Sequence, residues 1–228
     1  MKWTEKYKKA VVFSYDDGVY QDIRLVELLN KYGLKCTFNL NSKMMSPEFD
    51  WCAEGVAVRR MPPESLVDLY KGHEVASHSQ KHHDLTKLDS HAVFSDISQD
   101  KSSLENLFGC EVSGFAYPFG AVDQRVENVL SYCGIKYARG VNSSESFNPP
   151  DDLLNISPTC RHKDDNIFDL AEEFISLKPE TPQIFLLWGH SYEFDMQNGW
   201  ERIEDFFKFI AGRDDVYYGT CADVFLEM

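Results

Sequence analysis

Three short stretches hold the side chains best suited to chemistry. Asp16-Asp17-Gly18 sets two carboxylates side by side where the apolar run Val11-Val12-Phe13 gives way to a turn. His78-Ser79-Gln80-Lys81-His82 spaces two imidazoles four residues apart, directly after the apolar stretch Glu74 to Ser77. His190 follows the strongly apolar run Ile184 to Trp188 through Gly189. Imidazoles four apart on one helical turn share a face and reach a single metal ion. Two such ligands and one carboxylate leave coordination positions open for water and substrate, the pattern of a catalytic site. An imidazole titrating near neutrality makes His190 a general-acid candidate on the same face. Each stretch also has a plainer reading: an Asp-Asp-Gly turn, an isolated H-x-x-x-H, and a capped histidine. His73 and His83 read as bystanders to the chemistry, solvated or structural.

Neighbouring side chains of a strand point opposite ways, so two adjacent carboxylates share a pocket only where the strand ends. Gly18 permits that sharp exit because it tolerates positive φ. The rest of the chain supplies such strand ends repeatedly. Leu25, Leu28, Leu29 and Tyr32 recur at helical spacing after the first strand, and Cys36 to Leu40 reads as a second. Lys43 to Met61 reads as an irregular insertion containing Trp51, before Pro62-Pro63-Glu64 opens a short helix. A helix over Ser90 to Phe108 and strands at Phe115 to Tyr117, Ile135 to Ala138, Ile156 to Arg161, Ile184 to Trp188 and Val216 to Tyr218 follow, separated by amphipathic helices. This alternation predicts an α/β fold with a parallel sheet. Seven or eight βα units favour a distorted (β/α) barrel, one domain over residues 1–228, over an open doubly wound sheet. Asp16, Asp17, His78, Tyr117, Arg161 and His190 all follow strands, which places the site at the C-terminal ends of the strands.

The formal charge of −14 excludes a phosphate-neutralising surface, so no nucleic-acid partner is expected. No apolar run reaches the ~20 residues needed to span a bilayer, and Met1 to Lys6 lacks the apolar core of a signal peptide. These features predict a cytoplasmic protein without a membrane partner. Six cysteines are scattered singly with no C-x-x-C pair, which suits reduced thiols.

Taken together, the motifs resemble the polysaccharide deacetylases of carbohydrate esterase family 4, the chitooligosaccharide and peptidoglycan deacetylase group. Ser14-Tyr15-Asp16-Asp17-Gly18 stands where the family has T-F-D-D-G, and His78-Ser79-Gln80-Lys81-His82 with Asp84-Leu85 matches H-[ST]-x-x-H-x-D-L. Phe115-Ala116-Tyr117-Pro118-Phe119-Gly120 is similar to the third motif, and His190 ends the fifth. The resemblance implies one divalent metal, usually Zn2+ with Co2+, Ni2+ or Mn2+ as substitutes, held by Asp17, His78 and His82. It implies Asp16 as the base, the Phe119 backbone N–H as an oxyanion donor, and His190 as the acid. The implied substrate is a carbohydrate or small N-acylated compound, with N-acetyl removed and O-acetyl as a variant. Tyr117, Leu187 and Trp188 are read as substrate-binding, the last two lining an acyl pocket.

The chain departs from the family at three points. Ala116 stands where an arginine normally pairs with the base, no D-x-x-D-W fourth motif is found, and Gly189 replaces an apolar residue before His190. A cation from elsewhere is therefore expected beside Asp16, with Arg161 the first candidate and Arg139 the second. A cyclic-imide or ureide hydrolase on the same fold and a non-catalytic carbohydrate-binding relative are the competing readings. A 2-His-1-carboxylate iron oxygenase would fit the ligands but not a βα barrel.

Overall fold

The computed structural model describes residues 2–196 and 199–228. Its strands and helices run in chain order as β1 (Lys9–Asp16), α1 (Asp22–Lys31), β2 (Cys36–Leu40), β3 (Trp51–Ala53), β4 (Val56–Val58), α2 (Pro63–Leu69) and β5 (Glu74–Ser77). There follow α3 (Ser90–Phe108), β6 (Gly114–Ala116), α4 (Gln124–Tyr132), β7 (Tyr137–Arg139), β8 (Cys160–Arg161) and α5 (Ile167–Ser176). The chain finishes with β9 (Gln183–Gly189), α6 (Gly199–Ile210), β10 (Val216–Tyr218) and α7 (Cys221–Phe225).

Eight of these strands form one parallel sheet in the order β7-β6-β5-β2-β1-β9-β8, with β10 on the first residues of β1. The expected distorted barrel is thus present, and its seam lies between β7 and β8. Pro158 has no N–H to donate, and the strand expected over Ile156 to Arg161 shrinks to Cys160–Arg161. The preceding loop closes the seam instead. Ala138 N donates to Leu153 O, Gly140 N to Ile156 O, and Thr159 N to Leu186 O.

Alternation along β1 decides what points into the barrel. Val11, Phe13 and Tyr15 pack in the large cluster with Leu25, Phe206 and Phe207 of the outer helices. Ala10 and Val12 pack in a second cluster with Ile184, Leu186 and Tyr137, filling the bottom of the barrel. The same parity carries Ser14 and then Asp16 inward above that plug. Gly18, at φ +68°, makes the exit from β1, and a Cβ there would lie 2.9 Å from the Leu40 Cδ2.

The insertion at Lys43 to Met61 is more ordered than its sequence pattern indicates. β3 and β4 form an antiparallel hairpin, with Trp51 opposite Val58. The stretch leaving β4 is laced to the turn after β1, since Met61 N donates to Gly18 O at 3.1 Å and Tyr20 N to Arg59 O at 3.0 Å. A buried carboxylate anchors the same region. Asp22 accepts from Val19 N at 3.1 Å, from the Tyr70 hydroxyl at 2.6 Å and from the Ser191 hydroxyl just after His190. Burial, only partly offset by these donors, pushes its pKa up to about 6. Asp22→Ala would strand buried donors, so it should lower stability by about 3 kcal/mol in urea titration.

Among the described residues no helix is long and apolar enough to cross a membrane. All six cysteines are unpaired, three of them buried.

Candidate active site

Asp16, Asp17, His78, Phe119, Arg139, Arg161 and His190 all stand at or just beyond the C-terminal ends of parallel strands. All but Arg139, which is buried behind Asp16, line a cavity of about 720 Å3 whose walls include Trp51, Phe119, Trp188 and Tyr192. Single ligand atoms of Asp17, His78 and His82 lie within 4.8 Å of one another. The histidine pair reaches this point by a route different from the helical turn expected from its spacing. Gln80 and Lys81 form a turn, while Ser79 and His82 take left-handed backbones at φ +62° and +54°.

Helix α3 braces that uncommon loop with two carboxylates one turn apart. Asp96 accepts from Gln80 N at 2.8 Å and faces His83 Nδ1 at 2.9 Å. Asp100 accepts from the Ser77 hydroxyl at 2.6 Å and from Ser42 N at 2.8 Å. His83 thus has the structural one of its two expected roles, bracing the loop without joining the triad.

The triad fits a divalent ion. His78 Nδ1 lies 2.7 Å from Ala116 O, so it carries the proton, and the Nε2 lone pair is left for the site. That Nε2 is buried without a partner. Burial lowers the pKa of His78 to about 4 and depresses that of His82, which keeps both imidazoles neutral as ligands must be.

Asp16 has different surroundings. Its Oδ1 accepts from Asn39 Nδ2 at 2.7 Å and from Arg139 Nη2, an ion pair with both side chains buried. Burial works against this carboxylate, but Arg139, then His78 and His190, hold its pKa at about 2. Arg161, the first candidate for the neighbouring cation, is not the residue found there. Glu193 captures its guanidinium. The Trp188 ring packs against both arginines, 4.7 Å from the Arg139 guanidinium and 5.1 Å from that of Arg161.

His190 Nε2 lies 3.9 Å from both Asp16 Oδ2 and Asp17 Oδ2, too far for a direct hydrogen bond. Behind it, Nδ1 is 3.5 Å from Glu193 Oε2. Glu193 also lies 3.0 Å from His162 Nε2, and no sequence signal singled out either residue. Gly189 now has a reason. A Cβ there would meet His162 Nδ1 at 2.1 Å, so this histidine requires glycine before His190. Burial disfavours an imidazolium at His190, yet Glu193 and the two aspartates outweigh it and raise its pKa.

One of the three substrate-binding assignments changes. Leu187 has the opposite parity to Trp188 and packs with Phe13 and Cys160 under the outer helices, away from the cavity. Tyr117 contributes to the cavity wall, but it is fully buried and its hydroxyl donates to Leu154 O at 2.8 Å. Trp188 does line the cavity, as does Phe119, whose ring meets that of His82 edge-on at 4.5 Å.

The sequence and the fold have counterparts in known proteins. A chitin deacetylase from Pestalotiopsis sp is 24% identical over 147 residues, which is 64% of this chain and 46% of that one. The chain spans less than half the length of the curated relatives it matches. A polysaccharide deacetylase homologue from Mycobacterium smegmatis superimposes with a TM-score of 0.71 at 15% identity, over 99% of this chain and 92% of that one. A Bacillus anthracis protein described as a CE4 family pseudoenzyme superimposes with a TM-score of 0.57 at 16% identity, over 96% and 66%. The fold alone therefore does not decide catalysis. The family model for polysaccharide deacetylase matches residues 4–138, more than half of the sequence, and on that match this chain belongs to the polysaccharide deacetylase family.

Proposed function

We propose that this chain is a metal-dependent hydrolase that removes N-acetyl groups from a carbohydrate, with zinc as its ion. The observation that carries this reading is the placement of a free carboxylate oxygen and an imidazole around the triad, Asp16 Oδ2 and His190 Nε2 being 3.9 Å apart. A bound dication would acidify a coordinated water and polarise the acyl oxygen. Asp16 has Oδ1 committed to Arg139 and Asn39, which leaves Oδ2 to accept the proton of the attacking water. The Phe119 backbone, at φ +59° beside the triad, would offer its N–H to the developing oxyanion. His190 would donate the proton that the departing amine requires. The aromatic walls at Trp51, Trp188 and Tyr192 suit the apolar faces of sugar rings.

Metal analysis combined with acetate release from N-acetylated oligosaccharides, O-acetylated xylan and cyclic imides tests the reading. Acetate from the N-acetyl sugars, dependent on one ion per chain, is the expected result. Ring opening of imides without acetate, or glycan binding with no turnover, would overturn it.

Glu193 sits where a carboxylate supports the acid. Its negative charge favours the imidazolium of His190, so it raises the pH up to which the acid stays protonated. Glu193→Gln removes that charge and leaves the Arg161 cation nearby. The alkaline limb of kcat/KM should therefore move to lower pH, with the acid limb and the metal content unchanged. A limb that stays in place would disconnect Glu193 from the acid.

A further inference from the structure

Asp17 is held from outside the barrel. Its backbone is left-handed at φ +93°, and the residue gripping it is Arg60, two residues beyond β4 and bridged to Val19. Arg60 Nη1 donates to the Asp17 carbonyl and to Asn41 Oδ1 at 3.2 Å, while Nη2 donates to Asp17 Oδ1 at 3.1 Å. Arg60 is only 4% exposed, and its guanidinium packs 4.8 Å from the Trp51 ring. Backbone bonds of Arg59 and Met61 fix the stretch that carries it, and Arg60 N itself donates to Asp50 Oδ1 at 2.8 Å.

We propose that Arg60 is a positioning residue for the metal ligand Asp17, occupying Oδ1 so that Oδ2 is the one oxygen offered to the ion. This rests on the reading of Asp17, His78 and His82 as the metal triad. The free oxygen Oδ2 is the one that faces His190 across the cavity. A carboxylate with both oxygens free can chelate an ion through both, whereas one pinned by a guanidinium supplies a single donor. A site of two imidazoles and one such oxygen favours Zn2+, which is satisfied by four ligands, over Mn2+, which gathers six oxygen-rich ones. The insertion thus sets metal selectivity without touching the ion. It does so through a residue 43 positions away from the ligand it holds.

The test compares dissociation constants for Zn2+ and for Mn2+, measured on metal-free protein by competition with a chromophoric chelator. Wild type, Arg60→Met and Arg60→Lys are measured, with circular dichroism as the check on folding. In Arg60→Met both Asp17 oxygens are free, so the ratio of the Mn2+ to the Zn2+ constant should fall about ten-fold or more. Arg60→Lys keeps a cation but has no fork to span the carbonyl and Oδ1 together, so its ratio should lie between the two. Loss of backbone support or of positive charge alone shifts both ions alike. An unchanged ratio with intact binding would therefore overturn the role of Arg60 and leave the triad standing. If wild type binds neither ion, the triad reading fails and this inference falls with it. Should Arg60→Met not fold, the Arg60→Lys ratio decides.

Discussion

Asp16→Asn should keep the metal near wild-type content and lose turnover by about 10²–10⁴-fold, the range for a lost general base. The replacement is nearly isosteric, and its amide oxygen can still accept from Arg139 and Asn39. What disappears is the proton-accepting oxygen on the side of His190. Ion content per chain and kcat on an N-acetylated oligosaccharide measure the two halves of the prediction. Arg139 makes the experiment sharper. With its pKa held at about 2, Asp16 is ionised throughout the working range, so the loss should not be recovered by raising the pH. If Asp16→Asn instead abolishes metal binding while Asp17→Asn spares it, the two carboxylates have been assigned the wrong way round.

The second large effect belongs to the triad. His78→Ala should release the metal and bring deacetylation down to the background rate, with the barrel still folded. His78 is the most buried of the three candidate ligands, at 2% exposure, and its Nε2 has no protein partner to leave stranded. The fold should tolerate the change, which costs one hydrogen bond to Ala116 O, because the main bracing of the loop runs through Ser77, Gln80 and His83 to α3. Elemental analysis beside a thermal melt separates loss of metal from loss of structure. Stoichiometric metal in a folded His78→Ala protein would remove the basis for the triad.

Much of the site was legible because its signals are local. A carboxylate pair at the end of an apolar strand, two histidines four apart and an imidazole after a buried strand each follow from period and spacing. The alternation of strands and helices likewise carried the barrel and the end on which the chemistry gathers. Even there, the path was not fixed by spacing. His78 and His82 meet across a left-handed turn that α3 braces, and helical spacing only happened to bring the same pair together.

The partners of the candidate catalytic groups were a different matter. Arg139 and Arg161 both end strands, and both lie on the inward parity, so periodicity treats them alike. What separates them is that Glu193, in the turn after β9, captures Arg161, while Arg139 pairs with Asp16. Gly189 looked like a departure in the sequence and became a requirement only once His162 was seen against it. Arg60 sat in a stretch with no apolar period, and only the pairing of that stretch with the turn after β1 brings it to Asp17. The sequence by itself determined the chemical groups and the strand ends that present them, because those depend on neighbours a few residues away. Tertiary structure alone decided which cation meets which carboxylate. A guanidinium on a long side chain can reach several acids, and the choice among them is made by the closure of the barrel, burial and the charge already nearby.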